Sequence, residues 1–174
     1  MKLKYLVLLA VTGTVISLDQ LTKHVITQRF RLGESTPVID GFFNLTYVRN
    51  TGAAFGLLAR WDPSFRVPFF IIVPLLALGV IFYVFRKVED GDLKLATTLS
   101  LVIGGAFGNL IDRAAYNFVI DFLDFHWRYQ AHFPAFNVAD TAICVGVGFL
   151  VLDIIKKERQ HCLKESGAHA PDAS

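Results

Sequence analysis

The feature that most constrains this chain is a set of long apolar runs at about 5–26, 67–85, 95–111 and 138–155. A helix that crosses a membrane needs about 20 consecutive apolar residues. The two later runs are a little short, which suggests that their ends lie in an aqueous or protein-lined notch. In all, 53% of the residues are hydrophobic and only 18% are charged, which is unusual for a soluble domain of this length. The sequence therefore predicts an all-α integral membrane protein with four transmembrane helices.

The distribution of cations predicts the orientation of these helices. Lys and Arg concentrate near the run ends on the side that carries both termini and the loop at 86–94. The opposite side has nearly as many cations, but they are spread over two much longer loops. Because the positive-inside rule weights short loops and helix ends, both termini are expected in the cytoplasm. The first run lacks a small-x-small cleavage site after it, so it is interpreted as a retained transmembrane helix rather than a signal peptide.

The loops predict further structure outside the four runs. In the first outer loop, Asp40-Gly41 separates two β-prone stretches, which predicts a β-hairpin with a tight turn. The second outer loop, 114–137, is rich in aromatic residues and is expected to lie along the membrane surface. We predict one membrane-embedded domain over 1–164, with a small periplasmic hairpin or sheet element and an interfacial aromatic loop. The small, polar residues at 165–174 predict a disordered cytoplasmic tail.

Polar and charged residues gather at the ends of the apolar runs. Placing such residues close to lipid costs free energy. Odd-numbered helices run outward and even-numbered ones inward, so all of these positions fall on the outer face. An ionisable residue at such a place is a functional-site hypothesis by default. The sequence therefore predicts a site at the outer membrane surface. The residues concerned are Asp19, Asn109, Asp112, Arg113, Asn137 and Asp140.

Several of these residues also have a plain structural interpretation. Asn137 is a good N-cap, and Asp140 then falls at the capping-box position, which alone explains a carboxylate there. Asp19 and Lys23 are four residues apart and are consistent with an ordinary solvated ion pair. Capping does not explain why the other polar groups gather on the same side.

The third run combines small residues with a charge that needs a partner. Gly104 and Gly108 form a small-xxx-small face, which favours close helix packing over ligand contact. An anion near a helix C-terminus is unfavourable, so Asp112 requires a cation. The sequence suggests Arg113 or Arg49 for that role.

The chemistry open to the site is limited by what the sequence lacks. It contains no serine in a nucleophile-elbow pattern, no convincing Ser/His or Cys/His set, and no HExxH or other zinc spacing. We expect no metal and no cofactor, and a net charge of only +2 implies no nucleic-acid partner. Two close carboxylates cannot both ionise easily, so a pair of aspartates can hydrolyse a peptide bond by general acid–base catalysis.

Five sequence blocks together resemble the lipoprotein signal peptidase (signal peptidase II) family. They read DQLTK at 19–23, RNTGAAF at 49–55, GGAFGNLIDR at 104–113, VIDF at 119–122 and FNVAD at 136–140. The resemblance covers nearly the whole chain, although Thr141 stands where the family pattern favours Ser. It implies a bacterial inner-membrane aspartyl endopeptidase, which cleaves prolipoproteins just before a diacylglyceryl-modified cysteine.

The same resemblance implies residue roles. Asp121 and Asp140 would form the catalytic dyad, and the segment 49–55 would line the substrate groove. Globomycin-type peptides are expected to block the site, membrane lipids to surround it, and a monomer to suffice. Asp124 is the main rival for Asp121, but in an extended segment it would point to the opposite face. The implied polar shell consists of Asp19, Asn50, Gly52, Asn109, Asp112, Arg113 and Asn137.

Two other functions remain open from the residues alone. A proton-coupled transporter would use its carboxylates as a relay, but relay residues usually lie near the membrane midplane, where these four runs carry no charge. A non-catalytic membrane scaffold would use the Asn and Asp residues only as helix caps. It predicts that replacing them weakens stability without abolishing a specific activity.

Overall fold

A computed structural model of the chain contains four long helices and a small antiparallel sheet. It describes residues 2–52, 58, 61–128 and 131–168, without the side chains of 131–132 and 161–168. The helices are α1 (Leu3–Arg29), α2 (Pro63–Lys87), α3 (Leu93–Tyr116) and α4 (Val138–Ala168). The strands are β1 (Ser35–Ile39), β2 (Phe43–Asn50), β3 (Val119–Trp127) and β4 (Ala131–His132).

All four helices are long and apolar enough to cross a membrane, which confirms the predicted fold class. Each helix is longer than its apolar run, because polar residues at helix ends continue the backbone hydrogen bonding that hydrophobicity alone does not reveal. The largest difference is in α4, which contains the helix formers Lys, Glu, Arg, Gln and Leu beyond the run and continues to Ala168. It thus extends into the predicted tail, while 169–174 lie outside the described residues.

Helix α3 is the centre of the bundle and packs against the other three helices. Its glycines allow this close approach, as the small-xxx-small spacing predicts. A Cβ on Gly104 would lie 2.9 Å from the Cβ of Val15 on α1, and one on Gly105 would collide with the Ala139 carbonyl oxygen on α4. A Cβ on Gly108 would lie 2.7 Å from a carboxylate oxygen of Asp19. Helices α1 and α4 are therefore held directly against the α3 backbone.

The sheet has the strand order β1-β2-β3-β4, with antiparallel pairing throughout. The predicted hairpin is present, but its turn has three residues, 40–42, with Gly41 at a φ of +71°. The second outer loop differs from expectation, because residues 119–127 form the long strand β3 beside β2. Its β-branched and aromatic residues suit a strand. Its pairing partner, however, lies more than sixty residues earlier in the chain.

The end of the bundle that carries the N-terminus is closed by a buried lysine. The Lys4 ammonium donates hydrogen bonds to the carbonyl oxygens of Arg86 and Val88, where α2 ends, and lies 3.5 Å from Asp90. A cation at the C-terminus of a helix interacts favourably with the orphan carbonyls and the helix dipole. Lys4 therefore fixes the start of α1 to the end of α2.

Candidate active site

Asp121 lies on β3, and its side chain is only 2% exposed. Its Oδ1 accepts a hydrogen bond of 2.7 Å from Asn137 Nδ2 at the start of α4, and its Oδ2 accepts one of 3.0 Å from Asn50 Nδ2 on β2. Strand pairing explains the second contact, because Asn50 is paired with Val119, two residues before Asp121 on the same face of the sheet.

Asp140 lies in the first turn of α4 and forms the capping box that the sequence predicts. Asn137 Oδ1 accepts a hydrogen bond from the Asp140 N–H at 2.9 Å, and Asp140 Oδ2 accepts one from the Asn137 N–H at 3.2 Å. The other carboxylate oxygen accepts a 2.7 Å bond from Asn109 Nδ2 on α3. Asp140 therefore caps α4 and also faces the polar residues of α3.

Asn137 connects the two aspartates. Its side-chain amide donates to Asp121, while its main-chain N–H donates to Asp140, so a single residue bonds both carboxylates. The same amide also donates to Asn109 Oδ1 at 3.1 Å. The structure thus brings Asp121, Asp140, Asn109 and Asn137 together at the junction of β3, α3 and α4.

Behind this pair lies a buried ion cluster centred on Lys23. Its ammonium is 2.8 Å from Asp19 and 2.8 Å from Asp112, and it donates to Asn109 Oδ1 at 3.2 Å. The exposed fractions of Asp19, Lys23 and Asp112 are 0%, 2% and 1%. The interpretation of Asp19 and Lys23 as a solvated ion pair is therefore wrong, because packing against α3 buries both groups.

The partner suggested for Asp112 also differs from expectation. Its described contacts are with Lys23, with Gln20 Nε2 at 3.0 Å, and with the Ile120 N–H at 3.0 Å, rather than with Arg113 or Arg49. The reason is that α3 continues for more than a turn beyond the predicted end, so Asp112 faces α1 within the helix instead of lying at its C-terminus.

Arg113 points to a different part of the site. Its guanidinium donates to the Gly52 carbonyl oxygen at 2.9 Å and lies 4.3 Å from the centre of the Phe70 ring on α2. Gly52 is in turn held by its N–H, which donates to Asn50 Oδ1 at 3.0 Å. These contacts tie the start of the 49–55 segment to α3, whereas residues 53–55 of the predicted groove lie outside the described residues.

Asp124 is excluded from the group around Asn137 by the alternation of the strand. It accepts a hydrogen bond from Thr46 Oγ1 at 3.1 Å and lies opposite Asn44 of β2. The odd spacing between Asp121 and Asp124 places them on opposite faces of β3, as expected for an extended segment. Of the two candidates on this strand, only Asp121 bonds Asn137.

The protonation of Asp121 is shifted by its surroundings. Burial raises the pKa of Asp121 to about 7, and the negative charge of Asp140 adds to the rise. Hydrogen bonds from Asn50 and Asn137 and the Lys23 ammonium oppose it. The carboxyl group is therefore about half protonated near neutral pH. A carboxylate pair in which one proton is held at pH 7 can act as both acid and base.

Two contributors to the site were not identified as such from the sequence. The sequence indicates Lys23 only as a partner of Asp19 and gives no separate signal for Gln20. In the structure, Gln20 donates to Asp19, to Asp112 and to the Gly108 carbonyl oxygen. Their spacing gave a partial signal, since Lys23 lies one turn after Asp19 on the same helix face.

Comparisons with known proteins agree with this architecture. The family model described as Signal peptidase (SPase) II matches residues 11–156. The lipoprotein signal peptidase of Geobacter sulfurreducens is 52% identical over 160 residues, which cover 92% of this chain and 98% of that protein. That of Syntrophus aciditrophicus is 50% identical over 161 residues, covering 92% and 99%.

A solved structure of a bacterial membrane enzyme, determined by the in meso method, is similar to this fold with a TM-score of 0.78. It is 34% identical, and the match covers 87% of this chain and 88% of that one. A second such structure has a TM-score of 0.75 at 32% identity. The long family match and the high identity to its members lead to one conclusion: this chain belongs to the signal peptidase II family of membrane aspartic proteases.

Proposed function

We propose that Asp121 and Asp140 are the catalytic dyad with which this protein cleaves the signal peptide from diacylglyceryl-modified prolipoproteins, immediately before the lipidated cysteine. The observation that carries the proposal is the double contact of Asn137, whose side chain bonds Asp121 at 2.7 Å while its main-chain N–H bonds Asp140. Two carboxylates that are nineteen residues apart in the sequence thus share one bonding partner, which supports their assignment to a single site. The family membership and the names of the relatives support peptidase activity on lipoprotein precursors.

In the proposed reaction the two carboxyl groups share one proton. The ionised member removes a proton from a water molecule, and this water attacks the carbonyl carbon of the scissile peptide bond. The protonated member hydrogen-bonds the carbonyl oxygen and stabilises the negative charge that develops on it. Transfer of a proton to the leaving amine then breaks the C–N bond. Because the two groups are coupled, the pair titrates as a unit, and neither step is assigned to one aspartate.

The remaining polar residues have supporting roles in this proposal. Asn50 and Asn109 each donate to one aspartate and fix its rotamer. Arg113 holds Gly52 at the edge of the site, where the 49–55 segment would contact the substrate backbone. A site at the membrane surface suits the substrate, because its acyl chains remain in lipid while its peptide bond must reach water.

The test compares three matched variants on one strand and one helix. Asp121→Asn and Asp140→Asn are each expected to abolish cleavage of a diacylglyceryl-modified precursor peptide, measured per mole of folded protein. Asp124→Asn is the control, because it removes a carboxylate from the other face of β3. It should cleave at nearly the wild-type rate. Near-normal cleavage by either Asp121→Asn or Asp140→Asn would reject the dyad.

The location and orientation of the protein are part of the same proposal. We place it in the bacterial inner membrane, with both termini in the cytoplasm and the dyad near the periplasmic face. The concentration of Lys and Arg near the run ends on the side of the termini supports this orientation. Single cysteines introduced at Ser35 and at Lys157, in a background lacking native cysteines, test it. In intact spheroplasts, a membrane-impermeant thiol reagent should label only the cysteine at position 35. Labelling only at position 157 would refute the orientation.

The occupants of the site are likewise proposed from the family. Globomycin-type peptides should compete with the lipidated precursor, which a cleavage assay with increasing peptide concentration tests directly. A monomer is proposed because the described residues of a single chain supply both aspartates and their bonding partners. Cleavage activity that disappears on dilution to monomer would contradict it.

A further inference from the structure

We propose that Lys23 is a positioning residue that holds the two backbone segments preceding Asp121 and Asp140 in register with each other. This inference rests on the proposed function, because it concerns the alignment of the proposed dyad. Lys23 itself bonds neither aspartate. It acts through Asp112 and Asp19, each of which connects the ammonium to one main-chain N–H.

The first connection runs to the strand. Lys23 Nζ lies 2.8 Å from Asp112 Oδ2, and the same oxygen accepts a 3.0 Å hydrogen bond from the N–H of Ile120. Ile120 immediately precedes Asp121 in β3. A carboxylate on α3 therefore holds the backbone of β3 in place at the residue immediately before Asp121.

The second connection runs to helix α4 and has the same form. Lys23 Nζ lies 2.8 Å from Asp19 Oδ2, and Asp19 Oδ1 accepts a 2.9 Å hydrogen bond from the N–H of Ala139. Ala139 immediately precedes Asp140, and its N–H is one of the orphan donors in the first turn of the helix. A carboxylate on α1 therefore fixes the start of α4 beside the second aspartate.

The third contact of the ammonium links the two connections. Lys23 donates to Asn109 Oδ1 at 3.2 Å, and Asn109 Nδ2 donates to Asp140 Oδ1 at 2.7 Å. All three donors of the ammonium are thus used, on acceptors that lead to both aspartates. A neutral or differently shaped side chain cannot satisfy three acceptors in these directions while also neutralising two buried carboxylates.

This arrangement predicts a specific kinetic defect. Misplacement of a reacting group by about 1 Å can cost about 100-fold in rate, even when the cause lies away from the chemistry. The substrate contacts proposed for the 49–55 segment do not involve Lys23. Loss of the lysine should therefore lower kcat and leave KM nearly unchanged, which distinguishes misalignment of the dyad from loss of substrate binding.

The experiment uses Lys23→Met in the full-length protein, with Lys4→Met as the matched control. Both lysines are buried, both lie on α1, and both bond main-chain or acidic oxygens, but Lys4 is at the opposite end of the bundle. We expect Lys23→Met to lower kcat by about 100-fold per folded molecule. Amide hydrogen exchange should accelerate by about tenfold or more at Ile120 and Ala139, as expected for opened local structure. Lys4→Met should change neither kcat nor these two amides.

A second variant keeps the proposal testable if Lys23→Met does not fold. Lys23→Arg retains the charge but presents a planar guanidinium, which cannot reproduce the three contacts, so its kcat should fall by about tenfold with KM unchanged. The proposal would be overturned if a folded Lys23 variant kept a kcat within about threefold of the wild type. Unchanged hydrogen exchange at the amides of both Ile120 and Ala139 would also overturn it. Failure of the dyad itself would appear differently, as cleavage by Asp121→Asn, and would leave the exchange result unaffected.

Discussion

Replacement of Asp121 by Asn should change how the stability of the protein depends on pH. The pKa of this carboxyl is 3.8 in the unfolded chain and about 7 in the folded one, chiefly because burial penalises the charged form. Below pH 3.8 the group is protonated in both states and its stabilising contribution is complete. As the pH rises through 7, this contribution is lost, because the unfolded chain ionises first. Asn, which is always neutral, does not undergo this loss.

The magnitude follows from the two pKa values. Each pH unit between them corresponds to about 1.4 kcal/mol, so the gap between 3.8 and about 7 amounts to about 4 kcal/mol. The free energy of unfolding of Asp121→Asn, relative to that of the wild type, should therefore rise by about 4 kcal/mol between pH 4 and pH 8. The constant part of the difference reflects altered hydrogen bonds to Asn50 and Asn137.

The assay is equilibrium unfolding of the purified proteins in detergent at a series of pH values. Asp62→Asn provides a control of opposite sign. The pKa of Asp62, the exposed N-cap of α2, is lowered by the hydrogen bond from the Ser64 N–H. The stabilising contribution of the ionised Asp62 is present above pH 3.8 and disappears as the pH falls through the pKa of the folded state. Asp62→Asn should therefore be less stable than the wild type only at higher pH. A difference for Asp121→Asn that stays constant within about 1 kcal/mol from pH 4 to 8 would refute the reasoning.

Three further predictions follow from the site and its packing. Cleavage of the lipidated precursor should decline above about pH 7, as the pair loses its shared proton, and a rate unchanged at pH 9 would contradict this. Gly108→Ala should destabilise the fold by about 1–3 kcal/mol and reduce cleavage, because its Cβ would meet Asp19. Gly13→Ala, which has open space, should do neither, and equal thermal unfolding of the two variants would be inconsistent with the packing. Asn137→Ser should keep α4 capped but lose the contact with Asp121, so kcat should fall more than stability does; the reverse order would argue that Asn137 only caps the helix.

Much of the fold could be read from local patterns. The number of membrane helices follows from four apolar runs, because burial in lipid depends on the length and hydrophobicity of a contiguous segment. The capping box of Asn137 and Asp140 is also local, since its partners are three residues apart. The same holds for the hairpin at Asp40-Gly41. The exclusion of Asp124 follows from the two-residue period of a strand.

The full strand over 119–127 is not predicted by the sequence, which indicates only an extended segment around Asp121 within an interfacial loop. Aromatic residues in this segment favour an interfacial loop as much as a strand, and the deciding factor is the antiparallel pairing with β2. This pairing involves a strand that is distant in sequence. The pattern within 119–127 alone does not show which residues of that strand it pairs with. Each helix also extends beyond its apolar run, because hydrophobicity marks where lipid begins and not where backbone hydrogen bonding stops.

By itself, then, the sequence determined four membrane helices and predicted that their polar residues gather on one face. Its resemblance to a known family added the candidate pair Asp121 and Asp140, whose catalytic roles stay predictions. Only the tertiary structure decided that Lys23 is buried between Asp19 and Asp112, and that these carboxylates bond the residues just before each aspartate. The physical reason is that hydrophobic length and capping act within one segment. The environment of a charged residue, by contrast, depends on which helices pack around it. Here the glycines of α3 allow α1 and α4 to pack closely against α3.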